Sequence, residues 1–180
     1  MGTIFVDNLE PQSGTSLTLG ASGDTVSLTS GAKTSGFGKV GQVLQSVDTG
    51  VFSTSSSSFT DTNLSLNITP STTSSKILVS YEIVHSTSIA TNIFYKLLRD
   101  STAIGIGTNG SYSVLSTTAA TIDASRGEGT SISFLDSPST TSQITYKVQT
   151  HANGNNLYIN RRANTDWNCI STLTLMEILD

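Results

Sequence analysis

The chain has 180 residues, of which 36% are hydrophobic and only 12% are charged, and its formal net charge is −4. This length fits one domain with a short appendage and is too small for two well-cored domains. The acidic balance offers no basic surface for nucleic acid, and no apolar run approaches the roughly 20 residues that cross a bilayer.

The first eleven residues contain a compact apolar cluster, formed by Ile4, Phe5, Val6 and Leu9. It lacks the basic start of a secretory signal, so we expect none. The cluster is either a strand of the chain's own sheet or an anchor that docks onto another protein, and the sequence leaves both readings open.

A short repeat follows the apolar cluster. Residues 13–19 (SGTSLTL) and 22–28 (SGDTVSL) are nearly alike, and each places two apolar side chains on one face of a short strand after a glycine turn. Two aliphatic side chains per unit cannot form a core alone, because burial of each gives about 1.5–3 kcal/mol and ordering costs about 1–2 kcal/mol per residue. Copies from neighbouring chains could complete one, as in fibrous repeats; the alternative is a flexible Gly/Ser linker.

Residues 17–38, LTLGASGDTVSLTSGAKTSGFG, resemble a segment of tail-fibre and related virion proteins of marine bacteriophages, especially those that infect cyanobacteria. The resemblance covers about a fifth of the chain and includes no catalytic motif. It implies a virion part with an N-terminal docking and stalk segment, residues 1–38.

From residue 39 onward the pattern is one of short strands separated by Gly, Asn, Ser and Pro. Apolar alternation predicts strands at residues 40–47, 51–52, 64–69, 75–85, 92–99, 131–135, 144–150, 156–160 and 171–179. No amphipathic helix is predicted. Many short strands at this spacing are typical of a β-sandwich or barrel.

Residues 75–85 form the strand around which the others are arranged. Ile77, Val79, Tyr81 and Ile83 alternate along one face, which predicts a core face. Its expected partner, residues 171–179, is apolar on both faces, and a strand of that kind lies between two packed layers. We therefore predict that the second face of this strand contacts other subunits, through Thr174, Met176 and Ile178.

Two further phrases, ITPSTTSSKILV at residues 68–79 and LTLMEI at residues 173–178, are similar to phrases of small phage virion proteins. That resemblance implies a homotrimeric jelly-roll sandwich of the tumour-necrosis-factor or C1q kind. Residues 39–180 have the size of such a domain.

Motifs for chemistry are weak. Residues 105–110, GIGTNG, match a dinucleotide fingerprint, but a strand pattern follows where a helix is required, so a hairpin turn is favoured. His85 and His151 have no third ligand at metal spacing. Candidate glycosidase carboxylates are Asp123, Glu128 and Asp136, with nothing to select a pair. The single cysteine, Cys169, is interpreted as a small buried hydrophobe. No cofactor or metal is expected, and we predict that the protein is not an enzyme.

The most distinctive surface stretch is residues 160–167, NRRANTDW. Trp and Arg are enriched at binding hot spots, so Arg162, Asp166 and Trp167 are the candidate receptor-binding residues. The alternative is that Trp167 closes the end of the sandwich while the arginines pair with a neighbouring subunit.

These observations and the resemblance together predict a virion structural protein, assembled in the host cytoplasm. The favoured role is a short trimeric fibre-like appendage, attached to another virion protein by Ile4, Phe5, Val6 and Leu9, that contacts a glycan or protein of the host surface. A capsid-decorating or cement protein is the first alternative, and a polysaccharide-degrading enzyme is the second.

Overall fold

A computed structural model describes residues 20, 23, 39–107, 114, 116–120 (backbone only), 126–164 and 168–179. The backbone divides into two compact units, Met1–Phe37 and Gly38–Asp180. All strands described below belong to the second unit. The predicted docking cluster and stalk lie in residues 1–38, outside the described part except for Gly20 and Gly23, so those predictions stay predictions.

Every regular element in the described residues is a β-strand. In chain order these are β1 (Val40–Asp48), β2 (Phe52–Thr54), β3 (Thr60–Ile68), β4 (Lys76–Thr87), β5 (Thr91–Arg99), β6 (Thr102–Ile104), β7 (Ser116–Ala120), β8 (Glu128–Asp136), β9 (Ile144–His151), β10 (Leu157–Ile159) and β11 (Ser171–Ile178). None of these residues forms a helix that could cross a membrane.

The strands form two antiparallel sheets. In sheet 1 the order is β1-β11-β4, with β8 on the other edge of β4. The short strands β2 and β10 continue β1 and β11 beside the end of β4. In sheet 2 the order is β3-β9-β5, and both β6 and β7 pair with the free edge of β5.

This order has jelly-roll connectivity, in which the first long strand pairs with the last and the second pairs with the last but one. Here β1 pairs with β11 in sheet 1, and β3 pairs with β9 in sheet 2. The predicted all-β sandwich is therefore confirmed. The predicted pairing of residues 75–85 with 171–179 is also confirmed, since β4 and β11 are neighbours from Lys76–Ile178 to Glu82–Thr172.

The core lies between the two sheets and follows the period-2 alternation of the strands. Sheet 1 contributes the predicted core face of β4 together with Leu173 and Leu175 of β11. Sheet 2 contributes alternating residues of β5 and β9. These are Ile93, Tyr95 and Leu97 from β5, and Ile144, Tyr146 and Val148 from β9, all buried. Each strand of the core thus has one inward face, and its other face points away from the sandwich.

A polar clasp joins the two sheets through the core edge. Arg99 of β5 donates from one guanidinium nitrogen to both carboxylate oxygens of Asp136 on β8, at 2.9 and 2.8 Å. The Tyr146 hydroxyl of β9 donates to Oδ2 of the same carboxylate at 2.6 Å. Burial, together with the Asp136 carboxylate, raises the pKa of Tyr146, so the phenol stays a donor.

The sandwich has two distinct ends. At the first, called the Val40 end, Val40 lies opposite Ile178, and the buried Glu177 carboxylate accepts hydrogen bonds from Gln42 Nε2 and the Ser71 backbone. Burial disfavours the charged form of Glu177, but these donors outweigh it and its pKa is lowered. At the opposite end, called the Thr87 end, Thr87 pairs with Leu157, and Leu157 pairs with Thr54.

Candidate interaction surfaces

The outer face of sheet 1 carries a row of apolar side chains across all four long strands. The register aligns Val43 with Met176, Met176 with Leu78, and Leu78 with Leu135. We call these four residues the apolar row. Val43 and Leu135, at its two ends, are 53% and 48% exposed, and the two central side chains are half-buried. Four apolar side chains in line on the outside of a sheet form a continuous surface suited to another protein.

The neighbouring rows show how the predicted contact residues are arranged. Ile178 lies beside Val40 and Lys76, on the Val40 side of the apolar row. Thr174 lies in the next row toward the Thr87 end, where its hydroxyl accepts a 2.9 Å hydrogen bond from Gln45 Nε2. Thr174, Met176 and Ile178 are thus half-buried on one outer face, and whether that face is a subunit contact stays a prediction.

Three members of the apolar row were not predicted as contact residues: Val43, Leu78 and Leu135. Leu78 belongs to a face of β4 that mixes apolar and polar side chains. On the outer faces of their strands, Val43 is followed by Gln45 and Leu135 is preceded by Ser133. Only the register of four strands, which come from distant parts of the sequence, brings them into line.

On part of the outer face of sheet 2, polar side chains form hydrogen bonds with one another. Asp61 accepts from Lys147 Nζ at 2.7 Å and from Gln149 Nε2 at 2.6 Å. These hydrogen bonds, that of Lys147 first, lower the pKa of Asp61. The Thr145 hydroxyl donates to Asn67 Oδ1 at 2.8 Å. Paired polar groups of this kind mark a solvated part of the surface.

The stretch at residues 160–167 begins inside the protein. Asn160 is fully buried with a backbone φ of 63°, and its side chain bonds to Asp48, Gly50 and Ser171. The prediction that the whole stretch is exposed is therefore wrong for Asn160. Hydrogen bonds to other protein groups replace the ones that its side chain would make to water.

The three candidate receptor-binding residues are not brought together by the described structure. Arg162 is half-buried, whereas Asp166 and Trp167 lie outside the described residues. Their role stays a prediction. Beside Arg162, the Arg161 guanidinium lies over the Tyr158 ring, 4.2 Å from its centroid. This contact fixes the first part of the stretch against β10.

A polar groove opens at the Thr87 end, between β2 and β10. It has a volume of about 300 Å³ and is lined by Ser53, Thr54, Ser55, Asn156, Leu157 and Tyr158. No residue of this lining carries a formal charge at neutral pH. We refer to this site as the polar groove.

A larger groove, of about 700 Å³, lies on the outer face of sheet 1. It is lined by Thr49, Glu82, Val84, Asn168, Cys169, Ile170 and Thr172. Cys169 is half-buried at its wall. The interpretation of Cys169 as a buried hydrophobe is therefore wrong. The residue lies in the connection between β10 and β11, outside the core.

The two histidines lie in separate places. His85 is buried in the core with its ring 5.7 Å from that of Tyr95, and burial, opposed in part by the Glu128 carboxylate, lowers its pKa to about 4. His151 belongs to sheet 2 and contacts Phe59 and Phe94. Among the described residues, no group of three or more His, Cys, Asp or Glu could hold a metal ion.

The candidate carboxylates are also apart. Glu128 and Asp136 are the first and last residues of β8, which places them about 27 Å apart along the strand. The two carboxylates of a glycosidase lie within roughly 10 Å of each other. Glu128 and Asp136 therefore do not form such a pair, and Asp123 lies outside the described residues.

In the GIGTNG match, the Gly107 backbone donates to the Val114 carbonyl, and the next described element is strand β7.

No protein-family model and no curated protein matches the chain. Among solved structures, it is similar to the VP2 subviral particle of infectious bursal disease virus, with 13% identity and a TM-score of 0.42 over 77% of this chain and 37% of that one. It is also similar to the structure of the Gx strain of the same virus, with 11% identity and a TM-score of 0.39 over 78% and 43%. The chain thus spans about two fifths of each neighbour, and a likeness at this level carries no functional argument.

Proposed function

We propose that the protein is a non-enzymatic structural component of a virus particle whose jelly-roll body forms a homotrimer through the outer face of sheet 1. The apolar row carries this proposal. An exposed, continuous apolar row on the outside of a sheet is expected to be covered in the working state of the protein.

The second copy of the chain is the occupant that fits this face best. Lys76, the first residue of β4, and Glu82, six residues further along, are exposed on its outer face, with the uncharged Leu78 and Ser80 between them. A face that carries both signs of charge at its margins and apolar groups inside them can complement another copy of itself. Thr174, Met176 and Ile178 lie in the middle of this surface, and Val43, Leu78 and Leu135 extend it.

The virion role is supported by the sequence rather than by the fold. Residues 17–38 resemble phage fibre segments, and a trimeric body with a fibrous N-terminal segment suits a short appendage that contacts the host surface. The separation of Glu128 and Asp136 on β8 argues against a glycosidase built on these two carboxylates. Ile4, Phe5, Val6 and Leu9 are proposed to attach the part to the particle.

Sedimentation equilibrium tests the assembly. Three chains of 18.9 kDa give a particle of about 57 kDa. Met176→Asp places a charge in the middle of the apolar row, where burial without a partner costs several kcal/mol, so it should yield a folded monomer. Ser65→Asp is the matched control, since Ser65 is exposed on the outer face of sheet 2 and its variant should remain a trimer.

A stable monomer of the parent protein at micromolar concentration, or a Met176→Asp variant that assembles as the parent does, would contradict the proposed contact. The location is tested separately by immunogold electron microscopy of particles with an antibody against the sandwich. Gold on a tail or fibre supports the appendage role. Gold spread over the head favours the decorating role, and particles without gold contradict a virion role.

A further inference from the structure

We propose that the polar groove at the Thr87 end binds a neutral carbohydrate. The inference deepens the host-attachment role proposed above and rests on it for its biological meaning. The binding itself depends only on the groove, whose walls are β2, the residues after it, and β10.

The first argument is the supply of unused hydrogen-bonding groups. Ser53, Ser55 and Asn156 are exposed and Tyr158 is half-buried, and in the part of the chain that the structure describes none of their side chains makes a hydrogen bond. Three hydroxyls and one amide therefore face a single concave site. On the outer face of sheet 2, by contrast, Asp61, Lys147 and their neighbours pair with one another.

The second argument is that the groove is already held in shape. Tyr158 pairs with Ser53 across the two strands, and the same residue pairs with Ser86 of β4 on its other side. Leu157 beneath the groove is fully buried. Arg161 covers the Tyr158 ring, and its carbonyl accepts a 3.0 Å hydrogen bond from the Ser86 hydroxyl. A preformed site lowers the entropic cost of binding a small ligand.

The third argument concerns the class of ligand. The lining offers donors and acceptors without a formal charge, so a cation would leave water without a counter-charge. The nearby guanidinium of Arg161 lies on the Tyr158 ring. A sugar ring presents several adjacent hydroxyls, each able to donate and accept, which matches hydroxyl and amide groups. The volume of about 300 Å³ lies at the lower end of the range for small-ligand sites.

The groove also stays accessible in the proposed trimer. The apolar row crosses β4 at Leu78, whereas the groove lies beside Ser86, eight residues further along the strand. At about 3.3 Å per residue, this separation is roughly 26 Å. A subunit contact centred on the apolar row therefore leaves the Thr87 end free to meet a ligand.

Saturation-transfer NMR on the full-length protein tests the inference. The probes are the methyl glycosides of glucose, mannose and galactose, with N-acetylneuraminic acid as the charged comparison. We expect saturation transfer to at least one neutral glycoside. The double variant Asn156→Ala/Tyr158→Phe keeps the ring and removes two polar groups, and it should raise Kd for that glycoside about tenfold or more.

Ser65→Ala, on the outer face of sheet 2, is the control and should leave Kd unchanged. Near-UV circular dichroism checks that the double variant is folded. If it is not folded, the single variant Ser53→Ala replaces it in the Kd measurement. Three results would overturn the proposal: no transfer to any neutral glycoside, transfer to the acidic sugar alone, or a Kd that the groove variants do not change. Met176→Asp should bind the sugar with the same Kd as the parent. A failure of the trimer proposal can therefore be distinguished from a failure of the sugar-binding proposal.

Discussion

The Ser171 hydroxyl donates a 2.6 Å hydrogen bond to Oδ1 of Asn160, and both side chains are fully buried. Nδ2 of the same amide donates to the Asp48 carbonyl and carboxylate and to the Gly50 carbonyl, at 3.0, 3.2 and 2.9 Å. One side chain thus joins the end of β1, the end of β10 and the start of β11. The Asn160 amide thereby holds the start of the stretch at residues 160–167 in place.

Asn160→Ala should lower the free energy of unfolding by about 3 kcal/mol, because it leaves buried partners without hydrogen bonds. Part of the loss comes from the backbone, since the φ of 63° is unfavourable for alanine. Asn160→Gly tolerates that φ, so it should be about 1 kcal/mol more stable than the alanine variant and still less stable than the parent. Urea unfolding measures all three. Variants as stable as the parent would show that the network contributes little.

Stability should fall on acidification through His85. Its pKa is about 4 in the folded protein and 6.5 in the unfolded chain, so the unfolded chain binds the proton first. The stabilisation is fully present above pH 6.5 and is lost as the pH falls toward 4, with about 2 kcal/mol gone at pH 5.

His85→Phe keeps a ring beside Tyr95 and removes the titration. Urea unfolding between pH 7.5 and 5 should show a much flatter profile for this variant than for the parent. Equal slopes in the two proteins would contradict the assignment to His85. A further loss below pH 4.5, shared by both proteins, is expected from Glu177, whose lowered pKa stabilises the fold only while the carboxylate is charged.

Substitutions of different members of the polar clasp should lower the free energy of unfolding by different amounts. Tyr146→Phe deletes one hydrogen bond to a charged group and should cost about 2 kcal/mol. Asp136→Ala leaves both Arg99 and Tyr146 without their acceptor and should cost about 3 kcal/mol or more. Thermal or urea unfolding provides the comparison. A larger loss from the phenylalanine variant than from Asp136→Ala would contradict the central role given to the Asp136 carboxylate.

The melting temperature should depend on protein concentration, because a subunit that binds only the folded state stabilises it by mass action. Differential scanning calorimetry over about a hundredfold range of concentration should show Tm rising for the parent and for Ser65→Asp. Met176→Asp should show a constant Tm. A parent protein with a constant Tm would argue against assembly through the apolar row.

Deletion of residues 1–11 should leave a folded, trimeric sandwich that no longer joins the particle. The deleted segment contains Ile4, Phe5, Val6 and Leu9, whereas the described core is built from residues 64–175. Circular dichroism and sedimentation equilibrium report folding and assembly, and immunoblots of purified particles report incorporation. Loss of folding would show that the segment is a strand of the main sheet.

The sandwich could be predicted from the sequence because apolar and polar residues alternate along its long strands. Ile77, Val79 and Tyr81 mark the inward face of β4 within five residues, and the predicted pairing of this strand with residues 171–179 is confirmed. Such local periodicity depends only on the geometry of an extended chain.

The surfaces could not be predicted in the same way, because they depend on long-range register. The apolar row needs Val43 and Met176, 133 residues apart in sequence, to be aligned. The polar groove needs Ser53 to pair with Tyr158. Asn160 has the composition of a surface residue, and it is buried because partners as distant as Asp48 satisfy its amide. No short stretch contains that information.

The central place of β11 in sheet 1 also constrains synthesis. Among the described strands β11 is translated after all the others, yet it separates β1 from β4 and pairs with both. Until it is translated, two unpaired strand edges flank an open gap, so sheet 1 cannot close on the nascent chain. We therefore expect sheet 1 to close only after β11 has been translated. Until β11 is made, the facing edges of β1 and β4 are open to pairing with strands of other chains.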